Sequence, residues 1–263
     1  MRLDKNEKRK LIMKNYAAVA VNQRSNGCCG SGCSCSGNLF DAKDAARALG
    51  YSDEDLNSVP DAANMGLGCG NPLAIAAIKP GETVLDLGSG GGFDAFLARK
   101  RVGTDGLVIG VDMTPDMVML ARQNAQKAGY ENVSFRLGEI EHLPVADNTV
   151  DVIISNCVIN LALEKEQVFR DAYRVLKPGG RLSISDIVAT AELPDRIKND
   201  LNMLSGCIAG AEYVEHLRTM MLQVGFRNIR LEPKDNSREI LKTWVPESNV
   251  EDYVASYYIE AVK

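Results

Sequence analysis

The chain has 263 residues, 45% hydrophobic and 25% charged, with 30 Lys and Arg against 35 Asp and Glu for a net charge of −5. That balance excludes an intrinsically disordered chain, a low-complexity or collagen-like one, and a multi-span membrane protein. The mild acidity, with no basic stripe, argues against nucleic acid as a partner.

The length suits one large core, or a core with a small appended unit. At the start, Lys5, Lys8, Arg9 and Lys10 precede an apolar stretch over 11–21. Lys14 and Asn15 interrupt that stretch, so it does not read as an export signal. Leu11, Asn15, Ala18 and Val19 recur at helical spacing beside Tyr16 and Ala20, which predicts a short amphipathic helix. Residues 22–38 are rich in Gly, Ser and Asn and read as a mobile loop carrying Cys28, Cys29, Cys33 and Cys35. A helix is predicted over 41–49, ended by Gly50, then an acidic turn and a second glycine-rich loop over 64–72 with Cys69 at its centre. The pattern then becomes regular: a buried strand over 83–87, a helix over 93–101, and a strand over 107–111 ending at Asp112. Thr114 as N-cap, Pro115 in the first turn and Gly129 as terminator bracket the next helix. Strands follow at 133–137, 150–155 and 181–186, with a helix over 167–176 between the last two. The section 190–224 reads as helical and places Cys207 on a helix with Leu204 and Ile208. Two strands, over 226–231 and 253–262, finish the chain. No internal repeat is visible, and no run reaches the roughly eighteen apolar residues of a membrane span. Trp244, the single tryptophan, has no assignable role.

Strands alternating with helices imply an α/β fold with a mostly parallel sheet covered on both faces. The chain divides into an N-terminal helix with its Cys-rich loop (1–38), a Rossmann-like nucleotide-binding unit preceded by the Cys69 loop (39–189), and a helical insertion with closing strands (190–263). Gly88, Gly90 and Gly92 directly after a strand allow a tight turn and close approach to a ligand, and the helix that follows offers free N–H groups. Asp112, ending the next strand, suits the two hydroxyls of a ribose. The spacing is G-x-G-x-G, not the G-x-G-x-x-G of dinucleotide sites. With Asp86 in the preceding strand and Leu-Lys-Pro-Gly-Gly over 176–180, residues 70–186 resemble the S-adenosylmethionine-dependent methyltransferases of the Rossmann-like class. The resemblance implies a seven-stranded sheet with its last strand antiparallel. It also implies S-adenosylmethionine held by Asp86, Gly88, Gly90, Gly92, Asp112, Met113, Glu139, Ile140 and Asn156.

Seven cysteines against two histidines is an odd count that suits a reducing, cytoplasmic setting better than a secreted disulfide framework. Cys157 follows the fourth strand at the carboxyl edge where open α/β sheets bind ligands. Cys69 precedes the core, and Cys207 lies in an insertion able to cover the same edge. Buried free cysteine is often only a small hydrophobe, but three thiols around a methyl donor select a soft centre. Zinc would want a fourth ligand, with only His142 and His216 as imidazoles. The strings over 64–72, 155–161 and 205–211 resemble the three cysteine motifs of the arsenite S-adenosylmethionine methyltransferases. That resemblance implies As(III) held by Cys69, Cys157 and Cys207, and an arsenic lone pair that needs no general base. It also implies a thiol relay at Cys28 or Cys29, served by a reductant such as thioredoxin or glutathione. The expected partner is a small metalloid substrate, with no nucleic acid or membrane, and the chain is expected to act as a monomer. Two other readings stand beside it: a quinone-type carbon methyltransferase, and a metalloid-binding sensor without turnover.

Overall fold

The computed structural model describes residues 4–25, 42–244 and 248–263. The strands are β1 (Thr83–Leu87), β2 (Leu107–Asp112), β3 (Val133–Leu137), β4 (Val150–Asn156), β5 (Leu176–Ala189), β6 (Arg227–Pro233) and β7 (Val254–Val262). They form one sheet in the order β3-β2-β1-β4-β5-β7-β6. The first five are parallel, and β7 runs antiparallel to both β5 and β6. The expected mostly parallel α/β sheet with an antiparallel last strand is the one found.

The central strands are apolar because both faces are covered: Val84, Leu85 and Leu87 of β1 and Val152, Ile153 and Ile154 of β4 are buried. Helices α2 (Ala42–Ala48) and α3 (Asp53–Asn57) precede the first strand, and α4 (Phe93–Val102) and α5 (Pro115–Lys127) border the β1–β3 side. Helices α6 (Lys165–Val175) and α9 (Val214–Val224) pack together beside β5 and β6.

Several boundaries differ from the sequence expectation. β5 begins at Leu176, five residues before 181, because Leu176 pairs with Val150 across an irregularity between Val150 and Val152. The N-terminal helix α1 (Lys5–Ser25) exceeds 11–21 at both ends. Its start is fixed by reciprocal bonds, the Asp4 N–H to Glu7 (2.8 Å) and the Glu7 N–H to Asp4 (2.8 Å), the logic of a capping box. Its covered face is Ile12 and Ala20 with Tyr16 half-buried between them, while Asn15 and Ala18 of the expected face are exposed. The section 190–224 is broken into α7 (Asp195–Lys198), α8 (Leu201–Ser205) and α9. Cys207 is not helical: it lies in the turn after α8 with φ +62°. A further helix, α10 (Ser237–Trp244), stands where the sequence reading placed none, although Ser237, Ile240, Leu241 and Trp244 recur at helical spacing and Ser237, Ile240 and Leu241 are buried.

Candidate functional site

The carboxyl ends of β1 and β4 face the point where the sheet order reverses, with β2 and β3 on one side and β5 on the other. Ligands of open α/β sheets bind at such a point. A cavity of about 570 Å³ opens there, within the range of small-molecule sites.

One wall is the turn after β1. Gly88 has φ +67° and Gly92 φ +96°. A Cβ on Gly88 would lie 2.4 Å from Val158, and one on Gly92 2.7 Å from the Phe96 ring. Both sites exclude a side chain. Asp112 pins the turn: its carboxylate accepts the Gly90 N–H (3.0 Å) and the Thr114 N–H (2.8 Å). Thr114 stands at the N-cap of α5, but its side chain makes no cap bond, being engaged with Asp112 instead. Burial raises the Asp112 carboxyl, and these donors pull it back.

Asp86 Oδ2 and Ser89 Oγ, both buried and both on residues lining the cavity, have no hydrogen-bond partner among the described residues. Burial, reinforced by Asp94 and Asp112, pushes the Asp86 carboxyl well above the usual range. Orphaned buried polar atoms are rare without a ligand or water to serve them. These atoms beside a glycine cradle fit a polar ligand of adenosine size.

The opposite wall carries thiols. Cys69 is fully buried in its loop and does not line the cavity. Asn156, at the end of β4, holds that loop: its Oδ1 accepts the Cys69 N–H (2.9 Å). Its amide donates to Gly70 O (2.7 Å), the Tyr51 hydroxyl (3.1 Å) and Asp94 Oδ2 (3.2 Å). Asn156 borders the cavity, yet its polar atoms are engaged in fastening Cys69. The Tyr51 hydroxyl donates to Asp94 (2.6 Å), and burial pushes Asp94 up to about 6.

At Cys157 the chain turns with φ +60°. Its N–H donates to Ser185 O (2.8 Å), and Asp186 Oδ2 accepts the Ile159 N–H (2.8 Å) just beyond. Cys69 Sγ, Cys157 Sγ and a carboxylate oxygen of Asp186 lie within 4.8 Å of one another. Cys207 Sγ is not part of that group. It donates to Cys157 O (2.6 Å) and meets the Tyr16 hydroxyl of α1. Asn160 ties the two turns together, donating to Asp186 Oδ1 (3.0 Å), Ile187 O (2.5 Å) and Cys207 O (2.9 Å).

Burial, then the neighbouring thiols, pushes Cys157 well above its ordinary range. For Cys207 the hydrogen bond from Cys157 lowers the thiol, but burial with the charge of Asp186 leaves it raised. Both thiols hold their protons at neutral pH. Burial also lifts Asp186 to about 7, against the backbone N–H groups it accepts.

Of the cofactor candidates, Asp86, Gly88, Gly90, Asp112, Met113, Ile140 and Asn156 line the cavity, and so do Cys157 and Cys207. Gly92 and Glu139 do not; Glu139 pairs with Arg9 of α1 at 3.5 Å. Cys28, Cys29, Cys33 and Cys35 lie outside the described residues. The sequence reading missed Tyr16, Arg9 and Trp244 as lining residues. Tyr16 carried a signal, its place beside the apolar face of the predicted helix. Trp244 carried one too, its helical spacing from Ile240 and Leu241.

Fold, glycine turn and acidic partner together define a methyltransferase of the Rossmann-like, S-adenosylmethionine-dependent class. A family model described as a methyltransferase domain matches residues 78–226. An arsenite methyltransferase from Halobacterium salinarum is 51% identical over 266 residues, covering 99% of this chain and 68% of that protein. An arsenite methyltransferase from Aquipseudomonas alcaligenes is 42% identical over 179 residues, covering 65% of this chain and 51% of that protein. The crystal structure of an arsenic(III) S-adenosylmethionine methyltransferase from Chlamydomonas reinhardtii aligns with a TM-score of 0.59 and 35% identity, over 84% of this chain and 73% of that one. The chain belongs to the arsenite methyltransferase family. It spans about two thirds of the length of the first of these relatives and about half of the second. Among the described residues no helix is long and apolar enough to cross a membrane.

Proposed function

We propose that this chain methylates trivalent arsenic, with S-adenosylmethionine as methyl donor and Cys69, Cys157 and Cys207 as the arsenic ligands. The observation that carries the reading is the shared cavity: Cys157 and Cys207 open onto the space bordered by the glycine turn, Asp86 and Asp112, with Cys69 Sγ close behind Cys157. When bound, S-adenosylmethionine supplies an electrophilic methyl group. Asp112 would hold its ribose, and the free atoms of Asp86 and Ser89 would meet its polar groups.

The thiols do the substrate chemistry. Each S–H gives its proton to a departing hydroxide or glutathione thiolate as an S–As bond replaces an As–O or As–S bond. Arsenic stays trivalent and keeps its lone pair, which is the nucleophile. No oxygen or nitrogen must be deprotonated, so no general base is required, in keeping with the absence of a cavity-lining histidine among the described residues. To take up arsenic, the thiol of Cys207 must leave the carbonyl of Cys157. Donation of the lone pair to the methyl group would take arsenic formally to the pentavalent level, and thioredoxin or glutathione, with Cys28 or Cys29 as a relay, would return it to the trivalent level at the cost of a disulfide.

A quinone-type methyltransferase has no use for thiols gathered at the cavity wall, and a sensor has no use for the preserved donor side. The test combines purified protein, arsenite, glutathione and methyl-labelled S-adenosylmethionine, with methylated arsenic measured by mass spectrometry. Labelled arsenic lost in Cys157→Ser and Cys207→Ser supports the reading. Tight arsenite binding without methylated product overturns it in favour of the sensor.

A further inference from the structure

The last two strands make contacts with the thiol wall that the reaction described above leaves unused. Both backbone polar groups of Cys69 are bonded to side chains from distant elements. Its N–H donates to Asn156 Oδ1 at the end of β4 (2.9 Å). Its carbonyl accepts two bonds from the β6–β7 side of the sheet: from Lys234 Nζ, directly after β6 (3.1 Å), and from Ser256 Oγ of β7 (2.8 Å). These two residues are buried and tied to one another. The Lys234 N–H donates to Ser256 O (2.9 Å), the Ser237 N–H to Lys234 O (3.1 Å), and the Ser256 N–H to Ser237 Oγ (2.6 Å).

An ammonium is a costly way to fill an interior, and polar partners must meet it there. Lys234 Nζ meets the Cys69 carbonyl and, 4.8 Å from its centroid, the face of the Tyr258 ring. A hydrogen bond from a charged donor is roughly twice as strong as a neutral one, so the carbonyl is gripped firmly. Gly70, the next residue, leaves the space this takes: a Cβ there would collide with Lys234 Nζ and Ser185 Oγ. With the backbone of Cys69 fixed on both sides, χ1 is the freedom left to its side chain. Its Sγ rests on Ser185 O (3.2 Å), within 4.8 Å of Cys157 Sγ.

We infer that Lys234 and Ser256 are positioning residues for the substrate, acting through the Cys69 carbonyl to keep Sγ beside Cys157, where one arsenic atom can bond to both. The role is one of placement: the ammonium and the hydroxyl act on the backbone of the loop and leave the chemistry of the sulfurs unchanged. The inference rests on the arsenic reading and gives the ends of β6 and β7 a part in it.

The test titrates the full chain with arsenite and follows the ultraviolet absorbance of As–S bonds. S-adenosylmethionine affinity, by calorimetry, and urea unfolding are measured alongside. Lys234→Met keeps the stem and removes the donor. Arsenite affinity should fall about tenfold, since misplacing a reacting group by an ångström costs up to about a hundredfold. The As–S absorbance per bound arsenic should drop toward that of Cys69→Ser, while S-adenosylmethionine affinity stays native. Ser256→Ala removes the neutral donor and should show the same pattern at about threefold; it carries the test should the Met variant fail to fold. In a Cys69→Ser background neither substitution should weaken arsenite binding further. Native arsenite affinity in both variants, an equal fall in S-adenosylmethionine affinity, or an undiminished effect in Cys69→Ser would each overturn the inference. Native protein that binds no arsenite defeats the arsenic reading and this inference with it. Native protein that binds arsenite but transfers no methyl group defeats the methyltransferase reading alone, and the affinity comparison still decides this one.

Discussion

The two walls of the cavity are built in opposite ways. The donor wall comes from one contiguous stretch, β1 through Asp112, and its main contacts join residues at most a few tens apart: Asp112 to Gly90, Asp112 to Thr114. The thiol wall is assembled from distant segments. Cys69 is held by Asn156, Cys157 by Ser185 with Asp186 holding Ile159 just beyond, Cys207 by Asn160, and Tyr16 arrives from the first helix. Both of its cavity-facing cysteines sit at positive φ, strain of about 1–3 kcal/mol each that only surrounding bonds can hold. The first wall is a local motif; the second is a consequence of the whole fold. Substitutions should therefore separate donor binding from substrate capture, and stability should depend more on the second wall.

The sharpest separation is expected from Asp112→Ala. It leaves the N–H groups of Gly90 and Thr114 without their acceptor, and hydrogen bonds to a charged group contribute about 1.5–3 kcal/mol each. S-adenosylmethionine affinity should fall by about a hundredfold or more, while arsenite affinity stays within about twofold. Calorimetric titration of each ligand decides it. A comparable loss of arsenite affinity would mean that the two walls are not separable.

Asp94 is the place where the walls meet, since it contacts Asn156 and Tyr51 and raises the neighbouring Asp86. Its pKa of about 6 lies above the unfolded value of about 3.9. The folded state thus binds more protons between these values. The stability this provides is fully present below about pH 4 and is lost as pH rises through about 6. The shift corresponds to about 3 kcal/mol at most. Asp94→Asn should flatten this part of the stability profile, so the difference between native and variant urea midpoints should change in the variant's favour from pH 4.5 to pH 7.5. A difference that stays constant across that range would remove Asp94 from the titrating set.

The same contrast explains what the sequence disclosed. The donor wall was readable because glycine spacing, strand ends and Asp112 are consecutive signals with a local physical cause. The order of elements implied the mostly parallel sheet, and the antiparallel last strand followed from the methyltransferase resemblance. Three cysteines could be singled out in the sequence, but not how they are arranged: Cys207 looked helical because Leu204 and Ile208 are spaced for a helix, whereas the chain turns at Gly206 and Cys207. Asn156 was expected as a donor contact from the methyltransferase resemblance, and it does border the cavity. What the sequence did not disclose is that its amide also reaches Gly70, Tyr51 and Asp94, 86, 105 and 62 residues away along the chain. Lys234, directly after β6, is buried with its Nζ donating to Cys69 O (3.1 Å), and no local pattern distinguishes a lysine that folds inward from one that stays in water.

Asn160 tests whether the thiol wall is one unit. Its amide group joins Asp186, Ile187 and Cys207, and Asn160→Ala leaves three buried acceptors short of a donor. The expected loss is about 2 kcal/mol of stability. Arsenite affinity should fall about tenfold with the loosened Cys207 turn, and S-adenosylmethionine affinity should hold. Urea unfolding and the two titrations measure all three. Loss of stability with arsenite affinity intact would show that the Cys207 turn holds its shape without the clamp.

The smallest effect is expected from Tyr16→Phe, and it tests the most distant contribution to the thiol wall. The ring stays in place between Ile12 and Ala20, so α1 keeps its packing. Only the hydroxyl that meets Cys207 is removed. A single neutral hydrogen bond contributes about 1 kcal/mol. Arsenite capture and affinity should therefore change by no more than about fivefold. Because burial keeps the Tyr16 phenol protonated far above neutral pH, that change should be the same at pH 6.5 and pH 8.5. A fall of a hundredfold would show that α1 governs the Cys207 thiol and is not merely its cover, and the division into a local wall and an assembled one would have to include the first helix as a working part of the site.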